Sequence, residues 1–150
     1  MPFLQEQDAV FVRTRFAQEL RADVTLEFFA PTTGGLALPG QDGEIAEYTR
    51  QILAEVAALS PKIQLNVHST VAEPEAAKAF GIARTPATAV IGARDYGVRM
   101  YGMPAGYEFA TLLDLIIAAS HGSTAITPHT REILARLQHD THLQVFVTPT

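Results

Sequence analysis

Cysteine is absent from all 150 residues. The chain therefore holds no disulfide framework, no thiolate metal site and no thiol nucleophile. Positive charge is also scarce. Eleven Lys and Arg stand against sixteen Asp and Glu, a net charge of −5, and no basic run is interleaved with aromatics. That balance argues against nucleic-acid binding through a basic patch. Long hydrophobic runs are missing too. Leu112–Ala119 is the best candidate, far short of the roughly 20 residues that cross a bilayer. Residues 1–20 mix acids and arginines where a secretory signal would be continuously apolar. The expectation is a soluble cytoplasmic protein with neither nucleic acid nor membrane as partner. Hydrolase signals are equally thin. No Gly-x-Ser-x-Gly elbow exists, and Ser120 and His121, adjacent on a helix, would not face one another.

What remains is the composition of a globular domain, 47% hydrophobic and 18% charged. Apolar positions Ala9, Val12, Phe16 and Leu20 recur at helical steps. Val24–Ala30 is an apolar run ended by Pro31, and reads as a buried strand. Between Glu44 and Leu59, the residues Ile45, Tyr48, Ile52, Val56 and Leu59 line one predicted helical face, which Ser60-Pro61 stops. Ile63, Leu65 and Val67 alternate with Gln64, Asn66 and His68, a strand with one wet face. Glu73–Phe80 is a predicted short helix with Pro74 in its first turn and Gly81 past its end. Ala87–Ile91 and about Gly97–Tyr101 form a predicted hairpin turning at Arg94-Asp95. Phe109, Leu112, Leu113, Ile116 and Ile117 mark the next helix. Thr127-Pro128 opens another, with Ile133, Leu134 and Leu137 as its expected core face, and Leu143–Val147 is a predicted final strand. The fold class is α/β: a mixed sheet of about four strands with helices on both faces.

Candidate sites outside this frame are weak. Thr32–Gly43 is a glycine-rich loop whose Gly35 and Gly40 have phosphate-loop spacing. Gln41 and Asp42 stand where a lysine and a metal-binding hydroxyl belong, so the phosphate reading fails. Five histidines, His68, His121, His129, His139 and His142, share no ligand spacing, and solvated structural positions are expected for them. His121 suits a helix C-terminus, and Glu73 and Glu75 suit a helix N-terminus. No metal and no cofactor is expected.

The segment Phe80-Gly-Ile-Ala-Arg-Thr-Pro-Ala-Thr-Ala-Val-Ile-Gly92 resembles the cis-proline corner of a thioredoxin fold. Asp95-Tyr-Gly-Val-Arg-Met-Tyr-Gly-Met-Pro-Ala-Gly-Tyr-Glu-Phe109 is similar to the stretch after that corner in the protein disulfide oxidoreductases, glutaredoxin-like proteins with two fused thioredoxin folds. Leu143-Gln-Val-Phe-Val-Thr-Pro-Thr150 resembles the strand that opens their second fold, where a Cys-x-x-Cys comes at once afterwards. The N-terminal module of the alkyl hydroperoxide reductase flavoprotein subunit is a related match.

The resemblance implies a thioredoxin-like domain over residues 1–122, lacking its Cys-x-x-Cys, then a linker helix and the first strand of a second unit over 123–150. Where active members carry cysteines, this chain has the Thr32–Gly43 loop. Either it is a piece of a longer protein, or both redox sites are lost. The implied function is a non-catalytic unit of a thiol–disulfide exchange protein, with a structural or substrate-positioning role. A cysteine-less peptide-binding module is the alternative. The implied groove comprises Arg84, Thr85, Pro86, Ala87, Thr32 and Thr33, with no catalytic residue. Tyr101, Met103 and Tyr107 either rim it, cover the sheet edge or pack on a second unit. Implied partners are a protein or peptide substrate, an adjoining thioredoxin-like unit, or a second copy docked through the terminal strand or an exposed apolar face.

Overall fold

The computed structural model describes residues 2–32 and 43–148. Four strands form one mixed sheet in the order β2-β1-β3-β4. They are β1 (Val24–Ala30), β2 (Ile63–Ser69), β3 (Ala87–Ile91) and β4 (Arg99–Tyr101). The helices are α1 (Glu6–Glu19), α2 (Gly43–Ala58), α3 (Pro74–Ala79), α4 (Tyr107–His121) and α5 (Pro128–Ala135). β1 and β2 run parallel because α2 carries the chain back across the sheet, whereas β3 runs antiparallel to β1 and pairs with β4.

Strand alternation divides the side chains between two cores. Leu26 and Phe28 join Val12 and Phe16 of α1, Ile52, Leu53 and Val56 of α2, and Leu112 and Ile116 of α4 in the main cluster. Each such fully buried side chain contributes roughly 1.5–3 kcal/mol. Phe29 and Ala87 point to the opposite face, where Ala77 of α3, Phe80, Ile82 and Tyr101 enclose them in a second, smaller core. Polar groups tie the layers together. Ser120 Oγ accepts the Arg21 and Ala22 amides at 2.7 and 3.0 Å, and the His121 ring donates to the Glu19 carbonyl at 2.6 Å. The Ser120–His121 pair thus holds the α1–β1 turn against α4.

Three expectations need correction. In α2 the buried face is Ala46, Thr49, Ile52, Leu53 and Val56, while Ile45 and Tyr48 are exposed. Thr49 is buried because its hydroxyl donates to the Ile45 carbonyl at 2.7 Å, so its polarity is satisfied inside the helix. Second, α5 begins as expected, with the Thr127 hydroxyl accepting the Thr130 amide at 3.2 Å. Yet Ile133, Leu134 and Leu137 are about half exposed and form no core. Third, Leu143–Val147 is not a strand. Its apolar side chains are more than four-fifths exposed, and no strand among the described residues pairs with it. An alternating pattern states which face would be buried, but a strand needs a neighbour's backbone groups to exist.

Candidate functional site

The residues expected to line a groove, Thr33 apart, lie where β1 leaves the sheet and β3 enters it. Phe29↔Ala87 is the last paired position, so Ala30 and Pro31 leave the same sheet end at which Thr85 and Pro86 arrive. The Thr85–Pro86 peptide is cis. Pro86 and Ala87 are buried, Thr85 and Thr32 half-buried, and Arg84 exposed. The Pro86 carbonyl accepts the Gly102 amide at 2.9 Å, which anchors this corner to the end of β4. The Arg84 guanidinium lies 4.7 Å from the centre of the Tyr101 ring, a cation–π contact that holds the charge at the rim. Thr33, and with it Gly35, Gly40, Gln41 and Asp42 of the glycine-rich loop, lie outside the described residues. Tyr101 is half-buried in the second core, and Met103 and Tyr107 are exposed.

A second arginine braces the same corner. Arg99 of β4 donates to the Phe80 carbonyl at 2.9 Å, at the exit of α3, and grips Asp95 through two nitrogens at 2.9 and 2.6 Å. The Arg99 hydrogen bonds, helped by the Gly97 amide, hold the Asp95 carboxyl down to about 2. Asp95 therefore fixes the β3–β4 turn, and Arg99 carries that rigidity across to α3. Chemically the corner sets the half-buried Thr85 and a cis peptide beside the exposed Arg84 cation, with no thiol in the chain.

Three solved structures overlay on this architecture. A protein disulfide oxidoreductase from Aeropyrum pernix matches with a TM-score of 0.73 and 23% identity, over 89% of this chain and 55% of that one. The fold is thioredoxin-like. The alkylhydroperoxide reductase AhpF of Enterococcus faecalis gives a TM-score of 0.74 at 21% identity, over 90% of this chain and 61% of the other. The NTD N/C domain of the same reductase gives 0.69 at 22%, over 89% and 61%. These are the two kinds of protein that the sequence resembles. This chain spans between 55% and 61% of the length of each. No protein-family model and no curated protein sequence matches it.

The thioredoxin-like sheet also assembles a cluster that sequence reasoning missed. His68 is not a solvated ring on a wet strand face. Parallel pairing sets it beside Phe29, and the two rings stack with centroids 4.8 Å apart and planes 18° from parallel. Its Nε2 lies 2.6 Å from Glu27 Oε2, and its Nδ1 3.4 Å from Glu73 Oε1. Glu27 Oε1 accepts from Asn66 at 3.0 Å, and Glu73 Oε2 accepts the Ser69 amide at 3.3 Å. Burial opposes the charged imidazole, but the hydrogen bonds to Glu27 and Glu73 outweigh it, so His68 is raised above the ordinary histidine value. One signal for this cluster is local: Glu27 is the lone charged residue inside the largely apolar Val24–Ala30 run, and a charge placed there needs a partner. His129, His139 and His142 are exposed, and no metal-holding group of acids and histidines occurs among the described residues. No helix among them is long and apolar enough to cross a membrane.

Proposed function

We propose that this chain is a non-catalytic, N-terminal thioredoxin-fold unit of a protein disulfide oxidoreductase-like protein, with a structural or substrate-positioning role in thiol–disulfide exchange. The observation that carries this reading is a thioredoxin-like fold in a chain with no cysteine. Exchange requires a thiolate, so any such chemistry has to come from outside residues 1–150. The exposed apolar side chains between Ile126 and Val147 support an adjoining thioredoxin-like unit as partner. On this reading residues 123–150 are its linker helix and first strand, and Leu143–Val147 becomes a strand once that unit supplies a sheet edge. Without such a unit, two copies cover each other's apolar segments as a homodimer. The cytoplasm is the proposed location. Two measurements test the reading. Codons for Cys-x-x-Cys directly after Thr150 support it, and a stop codon there overturns it. Insulin-disulfide reduction by the pure chain, above a protein-free control, removes the non-catalytic assignment.

A second reading is favoured by the corner itself. The half-buried Thr85 beside the exposed Arg84 suits a cysteine-less peptide-binding module that pairs an extended segment along the sheet end. NMR titration with extended peptides should then shift residues 84–87 and 32–43 selectively. Shifts absent from both stretches reject it.

A further inference from the structure

We propose that His68 is a proton-operated clamp: doubly protonated, it ties the head of α3 to β1, and loss of one proton releases α3 together with the segment leading to Thr85 and Pro86. The number of donors on the ring sets the two states. A neutral imidazole has one N–H, an imidazolium two. Both ring nitrogens of His68 face carboxylate oxygens, which only accept when ionised, so the geometry is satisfied in full by the imidazolium alone. After deprotonation one nitrogen turns a lone pair toward a carboxylate, and that link gives way.

Which link gives way is decided by distance and exposure. Glu27 is 2.6 Å away with a side chain 13% exposed, whereas Glu73 is 3.4 Å away and 49% exposed. Glu27 is additionally held by Asn66, on the rigid pairing of β1 with β2. The remaining proton stays on the Glu27 side, and the Glu73 arm opens. Glu27 from β1 and Glu73 from the turn before α3 are the charged groups that bear on the ring; Glu75 and Lys78 of α3 do not. Glu73 is the residue immediately before α3, and its carbonyl accepts the Ala76 and Ala77 amides at 3.1 and 3.3 Å. α3 in turn carries Ala77 onto Phe29 and leads through Phe80, Gly81 and Ile82 to Arg84. With only six residues, α3 depends on such tethers more than on its own hydrogen bonds.

The sign is fixed by linkage. A histidine raised in the folded state lends stability that is complete below about pH 6.5, its unfolded value, and is lost as pH rises through the raised value. The clamp is thus closed in mild acid and open above the raised midpoint.

The test uses the 150-residue chain and tracks the His68 ring by NMR between pH 5 and 9, in wild type, Glu73→Gln and His68→Gln. Amide exchange at Phe80 and Ile82, corrected for base catalysis, is read on the same samples. These amides donate within the α3 exit, to the Ala76 and Ala77 carbonyls. The wild-type midpoint should stand above that of Glu73→Gln. Protection of Phe80 and Ile82 should fall through the wild-type midpoint, by about tenfold for each pH unit separating the two midpoints. Leu26 and Val90 amides, in the central strands, should hold their protection. In His68→Gln the α3 protection should be low and flat with pH. A His68 midpoint unmoved by Glu73→Gln overturns the clamp. So does α3 protection that ignores the titration, or a fall shared equally by Leu26 and Val90, which would be global unfolding.

Discussion

Placing a methyl group on Gly92 tests how tightly α4 is seated on the sheet. Gly92 comes directly after β3, and a Cβ built there would lie 2.2 Å from the Ala119 carbonyl oxygen, 3.0 Å from its carbon and 3.1 Å from a Tyr96 ring carbon. Ordinary contact begins near 3.4 Å, so the obstacle must retreat by about 1 Å in a close-packed interior. That obstacle is helix backbone, and α4 cannot shift without disturbing Leu112 and Ile116, both fully buried. Gly92→Ala should therefore cost about 3 kcal/mol, the upper part of the range for overpacking. In a chain of this size that lowers the melting temperature by roughly 6–12 °C.

Gly81→Ala supplies the contrast. Nothing lies within 4 Å of a Cβ there, but φ is +65°, so the cost is backbone strain alone, about 1–2 kcal/mol. Asn tolerates the left-handed region, so Gly81→Asn should recover part of that loss, whereas Gly92→Asn should be worse than Gly92→Ala. Urea unfolding monitored by circular dichroism reads all four variants. A Gly92→Ala midpoint indistinguishable from wild type would show that α4 is free to slide, and the close approach would then carry no energy.

Phe29 is fully buried in the second core, between the His68 ring and Phe80. Phe29→Ala should cost about 3–5 kcal/mol, with the loss of α3 exchange protection exceeding that at β2; a destabilisation below about 1 kcal/mol, measured by urea titration, contradicts a packed second core. Asp95 titrates at about 2 when folded, below its ordinary 3.8. Its stabilising effect is complete above about 3.8 and is lost as pH falls through about 2. The wild-type advantage over Asp95→Asn in thermal melts should accordingly shrink between pH 4 and 2, and shrink further in added salt because Asp95 is 40% exposed. An advantage that grows on acidification would refute the Arg99 assignment.

Local signals in the chain are legible where neighbouring residues decide the outcome. Ala87–Ile91 emerges with the expected bounds, Thr127 caps α5 as expected, and Gly81 adopts a positive φ just past α3. Turn chemistry, capping and the two periodicities are properties of short windows, which is why they survive without tertiary information. The expected α2 face was half wrong because Thr49, polar by type, buries its hydroxyl against its own helix. The surroundings of His68 are hidden from a linear reading because Glu27 and Phe29 reach it from β1, some forty residues away in the chain.

The sequence by itself determined the order of strands and helices from α1 to α5 and the lack of any thiol, since each is a matter of residue type and near spacing, while its resemblance to a thioredoxin fold pointed to the corner at Thr85–Pro86. Only the tertiary structure decided that Glu27, His68 and Glu73 meet, that Arg84 rests on Tyr101, and that Leu143–Val147 is left without a strand partner among the described residues. Pairing register and long-range burial choose those neighbours, and a linear pattern names the face a residue occupies without naming what stands opposite.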